Sequence, residues 1–233
     1  MEKETDQKGR VNGPRMCLVV YGENACFTRP EMKVERVSYE VITPSAARGI
    51  FEAIMWKPAI RWEVSKIEIL KPIKWVSVKR NEVSSVVSAY NIKNYLTGKG
   101  EEPPSIFIED KRQQRASLVL KDVEYRIHAR LKLTSKAGPR DNIIKFVEMF
   151  KRRASKGQCY NQPYLGCREF TAGFHYTDKN SSDPPPIDET RNIGWMLHDM
   201  DYTTSKPQPR FFNAYLEAGV IRVPPIGSED VVS

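Results

Sequence analysis

The chain predicts an α+β fold: a β-α-β-β-α-β unit followed by a smaller β-rich tail. Three observations carry this expectation. Apolar residues alternate strictly from Val123 to Leu133, which marks a strand with one buried face. Two segments, one after Thr43 and one after Asp141, show helical apolar spacing behind a capping residue. Strand-like runs lie before, between and after those helices. The chain has 233 residues with 40% hydrophobic content, enough for a core of one large domain or two small ones.

The elements read in order as follows. Residues 1–15 are polar, carry charges of both signs, and are expected to form a disordered arm. They lack the apolar core of a secretion signal, so a cytoplasmic address is expected. Met16 to Tyr21 reads as a strand ending at Gly22. Thr28-Arg29-Pro30 breaks the pattern, and Lys33 to Ile42 reads as extended, anchored by Val34 and Val37. Thr43 suits a helix N-cap, and Pro44 suits the first helical position, where a missing N–H costs nothing. Ala47, Ile50, Phe51 and Ile54 share one helical face, with Ser45, Arg48 and Glu52 opposite. Pro58 stops this helix and leaves Met55, Trp56 and Lys57 at its C-terminal lip.

Ile60 to Ile73 reads as a strand. Its apolar parity changes between Val64 and Ile67, which predicts a bulge near Ser65–Lys66. Residues 81–110 hold no sustained period; Gly98, Gly100, Pro103 and Pro104 mark an exposed, mobile loop there. In the alternating strand, Glu124, Arg126, His128, Arg130 and Lys132 form the polar face. That face reads first as a solvated surface and second as a holder of phosphates. Gly138-Pro139 turns the chain, and Asp141 is expected to cap a helix from Asn142 to Ser155, stopped by Gly157. Ile143, Val147 and Phe150 form its buried stripe, supported by Ile144 and Phe146. Beyond it lie the segment QCYNQPYLGCREF, a strand through Phe174-His175-Tyr176, a proline-rich insert from Asp178 to Thr190, and extended runs at Gly194–Tyr202 and Arg210–Val223. The expected organisation is an arm at 1–15, a ferredoxin-like domain at 16–157 and a β-rich extension at 158–233.

Composition narrows the function. Net charge is +8 with a pI near 9.3, which favours a polyanionic partner, nucleic acid first. No run approaches the ~18 apolar residues of a membrane span. The cysteines, Cys17, Cys26, Cys159 and Cys167, include no C-x-x-C pair. The three histidines, His128, His175 and His198, are scattered. This argues against a structural zinc site and for free thiols.

The residues then point to a family. The run ACFTRPEMKVERVSYEVITPSAARGIFEAI, with WKPAIRW, KRNEVSS, RQQRASLVL and GQCYNQPYLGCREF, closely resembles the CRISPR-associated RAMP proteins of the type I-C (Dvulg) subtype. This is the "Cas five" family in its d variant, and the likeness runs from about Met16 to Val223. The resemblance implies an RRM-like, ferredoxin-type RAMP domain with a β-rich C-terminal extension. It also implies cleavage of the repeat hairpin of precursor CRISPR RNA, without metal or cofactor. The product's 5′ handle would then stay bound as the protein joins the large and backbone subunits of an interference complex.

Such a cut uses the RNA's own 2′-OH as nucleophile. The protein must help deprotonate it, stabilise charge on phosphorus and protonate the leaving 5′-oxygen. The family supplies a tyrosine or histidine just before WKP, and a lysine-histidine pair early in the second helix. These positions fall on Met55, Lys145 and Phe146. Methionine and phenylalanine carry no titratable proton, so only Lys145 keeps a suitable group. Tyr39 and His128 are the candidate substitutes.

RNA-binding residues are expected at Lys33, Arg36, Arg80, Arg112, Arg115, Lys151, Arg152, Arg153 and Arg168. Tyr160, Tyr164 and Phe170 are candidates for base stacking or for the core. Three functions therefore stand side by side: a precursor-RNA endoribonuclease, a non-catalytic repeat-binding subunit of the same complex, and a non-specific binder of double-stranded nucleic acid such as DNA.

Overall fold

The computed structural model describes residues 13–32, 34–100, 102–177, 183–202 and 206–233. The elements run β1 (Arg15–Ala25), α1 (Pro44–Ile54), β2 (Ile60–Ile69), β3 (Trp75–Val83), α2 (Ala89–Leu96), α3 (Ile108–Lys111), β4 (Arg112–Leu133), α4 (Ile143–Ser155), β5 (Gly173–Thr177), β6 (Arg191–Asp201), β7 (Gln208–Glu217), β8 (Val220–Arg222) and β9 (Val231–Val232).

The strands join in one sheet of order β5-β1-β4-β2-β8-β7-β6, with β3 beside β4 and β9 beside β7. Every named pairing is antiparallel. β1 and β2 both flank β4 and are joined through α1. β4 and β5 both flank β1 and are joined through α4. Two helical crossovers therefore interlock on four central strands.

The alternation in β4 sets the core. Tyr125, Ile127, Ala129 and Leu131 are buried. Ile127 sits opposite Leu18 on β1 and Ile67 on β2, so one apolar face runs across all three strands. Both helices lay their apolar stripes on that face. Phe51 of α1 stacks on Phe150 of α4 at 5.4 Å, and Trp62 of β2 lies 5.0 and 4.5 Å from those two rings. This aromatic cluster pins both helices to the sheet.

Local signals explain the element ends. Thr43 Oγ1 accepts from the Ala46 N–H at 3.3 Å, with Pro44 in the first helical position. The β2 bulge falls between Val64 and Lys66, as the parity change requires. The β7–β8 hairpin turns through Ala218 and Gly219, both at positive φ, as such a two-residue turn demands. A Cβ on Gly219 would come within 2.3 Å of the Ile187 carbonyl, so the close chain approach there also requires glycine.

Several expectations need correction. The arm expected at 1–15 is not structureless throughout: the Gly13 N–H donates to the Leu131 carbonyl at 3.0 Å, and β1 begins at Arg15. Residues 1–12 lie outside the described set. The loop expected at 81–110 holds the end of β3, then α2 and α3. No residue of α2 or α3 is buried, so neither leaves a core stripe to read. The strand expected from Ile60 to Ile73 stops at Ile69 and re-forms as β3. Asn142, not Asp141, caps α4, accepting from the Ile144 N–H at 2.9 Å. Asp141 instead closes the preceding turn, accepting from the Gly138 N–H at 2.9 Å. The LGCREF part of the segment after α4 is a tight turn, closed by the Leu165 N–H donating to the Phe170 carbonyl at 2.8 Å.

The strands of residues 158–233 join the same sheet as the rest. Of these, β5 pairs with β1, and β8 pairs with β2. Exposed backbone at both sides of the central strands is thereby satisfied.

Candidate nucleic-acid interface

The C-terminal lip of α1 directs its residues in opposite senses. Met55 is the C-cap, extended in backbone and fully buried. Its N–H donates to the Phe51 carbonyl, and its own carbonyl accepts from Trp62 Nε1 at 3.0 Å. Trp56, by contrast, is 59% exposed. In the first turn of α4 the pattern repeats: Ile143 and Phe146 are buried, whereas Lys145 and, against expectation, Ile144 face solvent, because Ile144 lies off the face set by Ile143, Val147 and Phe150. Met55 and Phe146 thus belong to the same hydrophobic core, and of the three expected catalytic positions Lys145 alone presents its side chain outward.

The lip is tied to the β4–α4 connection. The Thr134 N–H donates to the Ala59 carbonyl at 2.9 Å, and Thr134 Oγ1 donates to the Pro58 carbonyl at 2.6 Å. Lys57, Lys136 and Arg140 are exposed on these connections. Those three sit in connections with no period of their own, so the sequence does not mark them.

Of the two candidate substitutes, Tyr39 lies in the core, with the Arg29 guanidinium 4.7 Å from its ring centre. Burial raises its phenol pKa further above neutrality. His128 lies on the open face of β4 opposite Cys17 of β1, as the alternation predicts. Its Nε2 sits 2.9 Å from Glu68 Oε1. Glu68 also accepts from Arg126 and pairs with Lys66. Burial alone would raise the Glu68 pKa, but hydrogen bonds from His128, Lys66 and Arg126 outweigh it and hold the carboxyl at about 2. A cavity of about 490 Å³ opens beside this network, lined in part by Arg15, Arg126, His128, Lys151 and Tyr176.

Three of the expected RNA-binding arginines converge. Arg36, Arg80 on β3 and Arg115 on β4 surround Glu82 and Glu169. Arg36 lies 3.5 Å from each carboxylate; Arg80 donates to both. Three cations against two anions leave the cluster net positive. Arg168 is exposed on the adjoining turn, and Arg112 is exposed at the start of β4.

The α4 residues divide. Lys151 pairs with Glu148 at 3.3 Å, and Arg152 is exposed. Arg153 instead donates to the Ile54 carbonyl at 3.1 Å. Together with the Tyr160 and Asn161 N–H groups, which donate to the Ala53 carbonyl, it satisfies the C-terminal end of α1. Lys33 lies outside the described residues. Tyr160 is 82% exposed and Tyr164 42%, while Phe170 packs against the core.

A groove of about 390 Å³ runs along the outer face of α1, between the turn at 163–166 and the end of β6. Gly49 and Ala53, one helical turn apart, line it along the helix, and Tyr164 and Tyr202 stand beside them. A Cβ on Gly49 would meet nothing within 4 Å. Arg48 joins α1 to β6 through two bonds to Asp199, at 2.8 and 2.9 Å. Small residues among polar ones on α1 are the sequence signal of this groove, and they carry no charge or period to draw attention.

Residues 16–224 match the family described as CRISPR-associated protein (Cas_Cas5), in its Cas5d form. The chain belongs to the Cas5d family. It is 52% identical over 223 residues to a Mannheimia succiniciproducens protein named CRISPR pre-crRNA endoribonuclease Cas5d, spanning 93% of this chain and 98% of that one. A protein of the same name from Thermus thermophilus is 40% identical over 228 residues, spanning 90% and 91%.

Solved structures share this fold. One, described as the crystal structure of a CRISPR-associated protein, superposes with a TM-score of 0.69 at 19% identity, covering 96% of this chain and 99% of the other. SMU1763c from Streptococcus mutans, described as functionally uncharacterised, gives 0.68 at 19%, covering 96% and 100%. Among the described residues no helix is long and apolar enough to cross a membrane.

Proposed function

We propose that this Cas5d-family chain processes precursor CRISPR RNA, cutting the repeat hairpin through 2′-OH attack and then keeping the 5′ handle within an interference complex. The observation that carries this reading is the 52% identity, over nearly the whole of both chains, to a relative named as the pre-crRNA endoribonuclease. The four central strands and two crossovers support an RRM-like, ferredoxin-type reading of the domain, completed by β5 from the extension.

RNA brings its own nucleophile, so this chemistry requires no metal. Lys145, exposed in the first turn of α4, is the residue to stabilise charge on the scissile phosphate. Arg36, Arg80, Arg112, Arg115, Lys151, Arg152 and Arg168 would hold flanking phosphates. Arg153 contributes by capping α1. Tyr164 and Tyr202 suit unpaired bases laid in the α1 groove. The large and backbone subunits of a type I-C complex are the expected protein partners.

A second reading has its own observation. Met55 and Phe146 are apolar and buried, so neither moves a proton. His128 lines a cavity alongside cations, but its Nε2 is engaged with Glu68. A subunit that binds the repeat without turning it over fits these residues.

Incubation with the cognate repeat hairpin separates the readings. The endonuclease reading expects one cut, insensitive to chelator and abolished by a 2′-deoxy substitution at the cut. Tight repeat binding by folded protein with no cut overturns it in favour of the binding subunit. Equal affinity for any duplex, falling steeply with salt, would instead leave a non-specific binder of nucleic acid.

A further inference from the structure

Cys26 and Cys167 form a thiol pair that neither the RNA chemistry nor the core explains. We propose that they are a peroxide-sensitive modification site, with Cys167 the attacking thiol and Cys26 the resolving one.

The backbone brings the two together. Cys26 follows β1, and its N–H donates to the Leu165 carbonyl at 3.0 Å. Gly166 has φ +82°, and a Cβ there would come within 2.1 Å of the Cys26 carbonyl oxygen. Glycine thus lets the 163–169 turn press directly on Cys26. Cys167 Sγ donates to the Cys26 carbonyl oxygen at 3.6 Å, which places its sulfur against the Cys26 residue.

Their surroundings assign the roles. Cys26 is 1% exposed, so an oxidant from solvent does not reach it first; Cys167 is half-buried. Arg36 Nη1 donates to Cys167 Sγ at 3.4 Å, placing a guanidinium beside that sulfur. The hydrogen bond from Cys26 and the charge of Arg36 lower the Cys167 pKa, against burial and nearby Glu169. Hydrogen bonding to Cys167, with burial, raises that of Cys26. The contact to the Cys26 carbonyl suits a protonated Cys167; the thiolate draws on Cys26 and Arg36 instead. The other two thiols lack this arrangement. Cys17 is pushed up to about 12 by burial, and Cys159 is exposed in another segment.

The chemistry balances with a hydroperoxide as oxidant. The Cys167 thiolate attacks one peroxide oxygen, the O–O bond breaks, and the departing oxygen takes a proton to leave as water or an alcohol. Cys167 becomes a sulfenic acid. Cys26 then gives up its proton and attacks that sulfur, the S–O bond breaks, and hydroxide leaves with the proton as water. Both sulfurs are oxidised to the disulfide and both peroxide oxygens are reduced. The bond would staple the 163–169 turn to the end of β1. Phe27, Thr28, Tyr164 and Gly166, on either side of the staple, line the α1 groove, so oxidation would fix that wall and take the sulfur acceptor from Arg36.

Peroxide treatment of the full chain, followed by thiol counting under denaturing conditions and peptide mapping, tests this. The expected result is loss of two of the four thiols, one cross-linked Cys26–Cys167 peptide, and recovery of all four with dithiothreitol. Cys26→Ala should instead leave Cys167 as a sulfenic acid trapped by dimedone. Arg36→Gln should slow the loss about tenfold, as expected when a thiolate loses its cation. Retention of all four thiols, a disulfide confined to Cys159 between two chains, or a rate unchanged in Arg36→Gln would overturn the assignment. RNA binding or cleavage enters none of these readouts, so this test and that of RNA processing fail independently.

Discussion

The lip of α1 and the arginine cluster beside the 163–169 turn are held by different forces. Met55 at the lip and Phe146 in the first turn of α4 are both buried in the apolar core that also holds Trp62, Phe51 and Phe150. At the cluster, Arg36, Arg80 and Arg115 are held by two carboxylates that stay partly in contact with water. Packing is not weakened by salt, and exposed ion pairs are. Substitutions at the lip should therefore be read as stability, and those at the cluster as binding.

The largest effect expected at the lip is a cavity. Met55→Ala should lower unfolding free energy by about 2–5 kcal/mol in denaturant titration. Phe146→His places a polar ring among apolar neighbours and should also destabilise clearly. A Phe146→His protein of unchanged stability that cuts repeat RNA faster would break the comparison, because the lip would then be a working pocket.

The polar face of the sheet should respond to acid. The Glu68 carboxyl is held at about 2, below its unfolded value near 4.5, by His128, Lys66 and Arg126 acting against burial. A depressed pKa stabilises the fold above the unfolded value, and that contribution disappears as pH falls from about 4.5 towards 2. It is on the order of 3 kcal/mol. Glu68→Gln should therefore be less stable at neutral pH and should lose less on acidification than the parent. Parallel pH–stability curves for the two proteins would refute the assignment.

Two adjacent arginines sharpen the contrast at smaller scale. Arg153 caps α1 through the Ile54 carbonyl, so Arg153→Ala should cost about 1 kcal/mol. Arg152, exposed on the same helix, should change stability by no more than about 0.5 kcal/mol. If Arg152 meets a phosphate, its removal should reduce the log–log salt slope of RNA binding by about one. The reverse ordering of the two melting curves would show that the capping bond is not made.

The site was legible to different depths. The family and the polar face with His128 could be read directly, because long motifs and strict alternation leave clear traces; the exposure of Lys145 follows its place off the α4 stripe. The convergence of Arg36, Arg80 and Arg115 could not, since they come from separate segments brought together only when β3 pairs with β4 and the 163–169 turn folds in. The α1 groove was missed because Gly49 and Ala53 announce nothing by themselves. The helix α2 was missed because it buries nothing.

By itself the sequence determined the local elements: the Thr43-Pro44 start of α1, the bulge after Val64, and the apolar face of β4. Each depends on neighbours a few residues apart, through a capping bond, a change of parity or a period of two. Only the tertiary structure decided that the tail completes the central sheet, that Arg153 is a cap, and that Cys26 meets Cys167. Those outcomes depend on backbone hydrogen bonds and close approaches between distant segments, at Cys26 with Leu165, at Gly166, and across β1 with β5. No spacing along the chain encodes them.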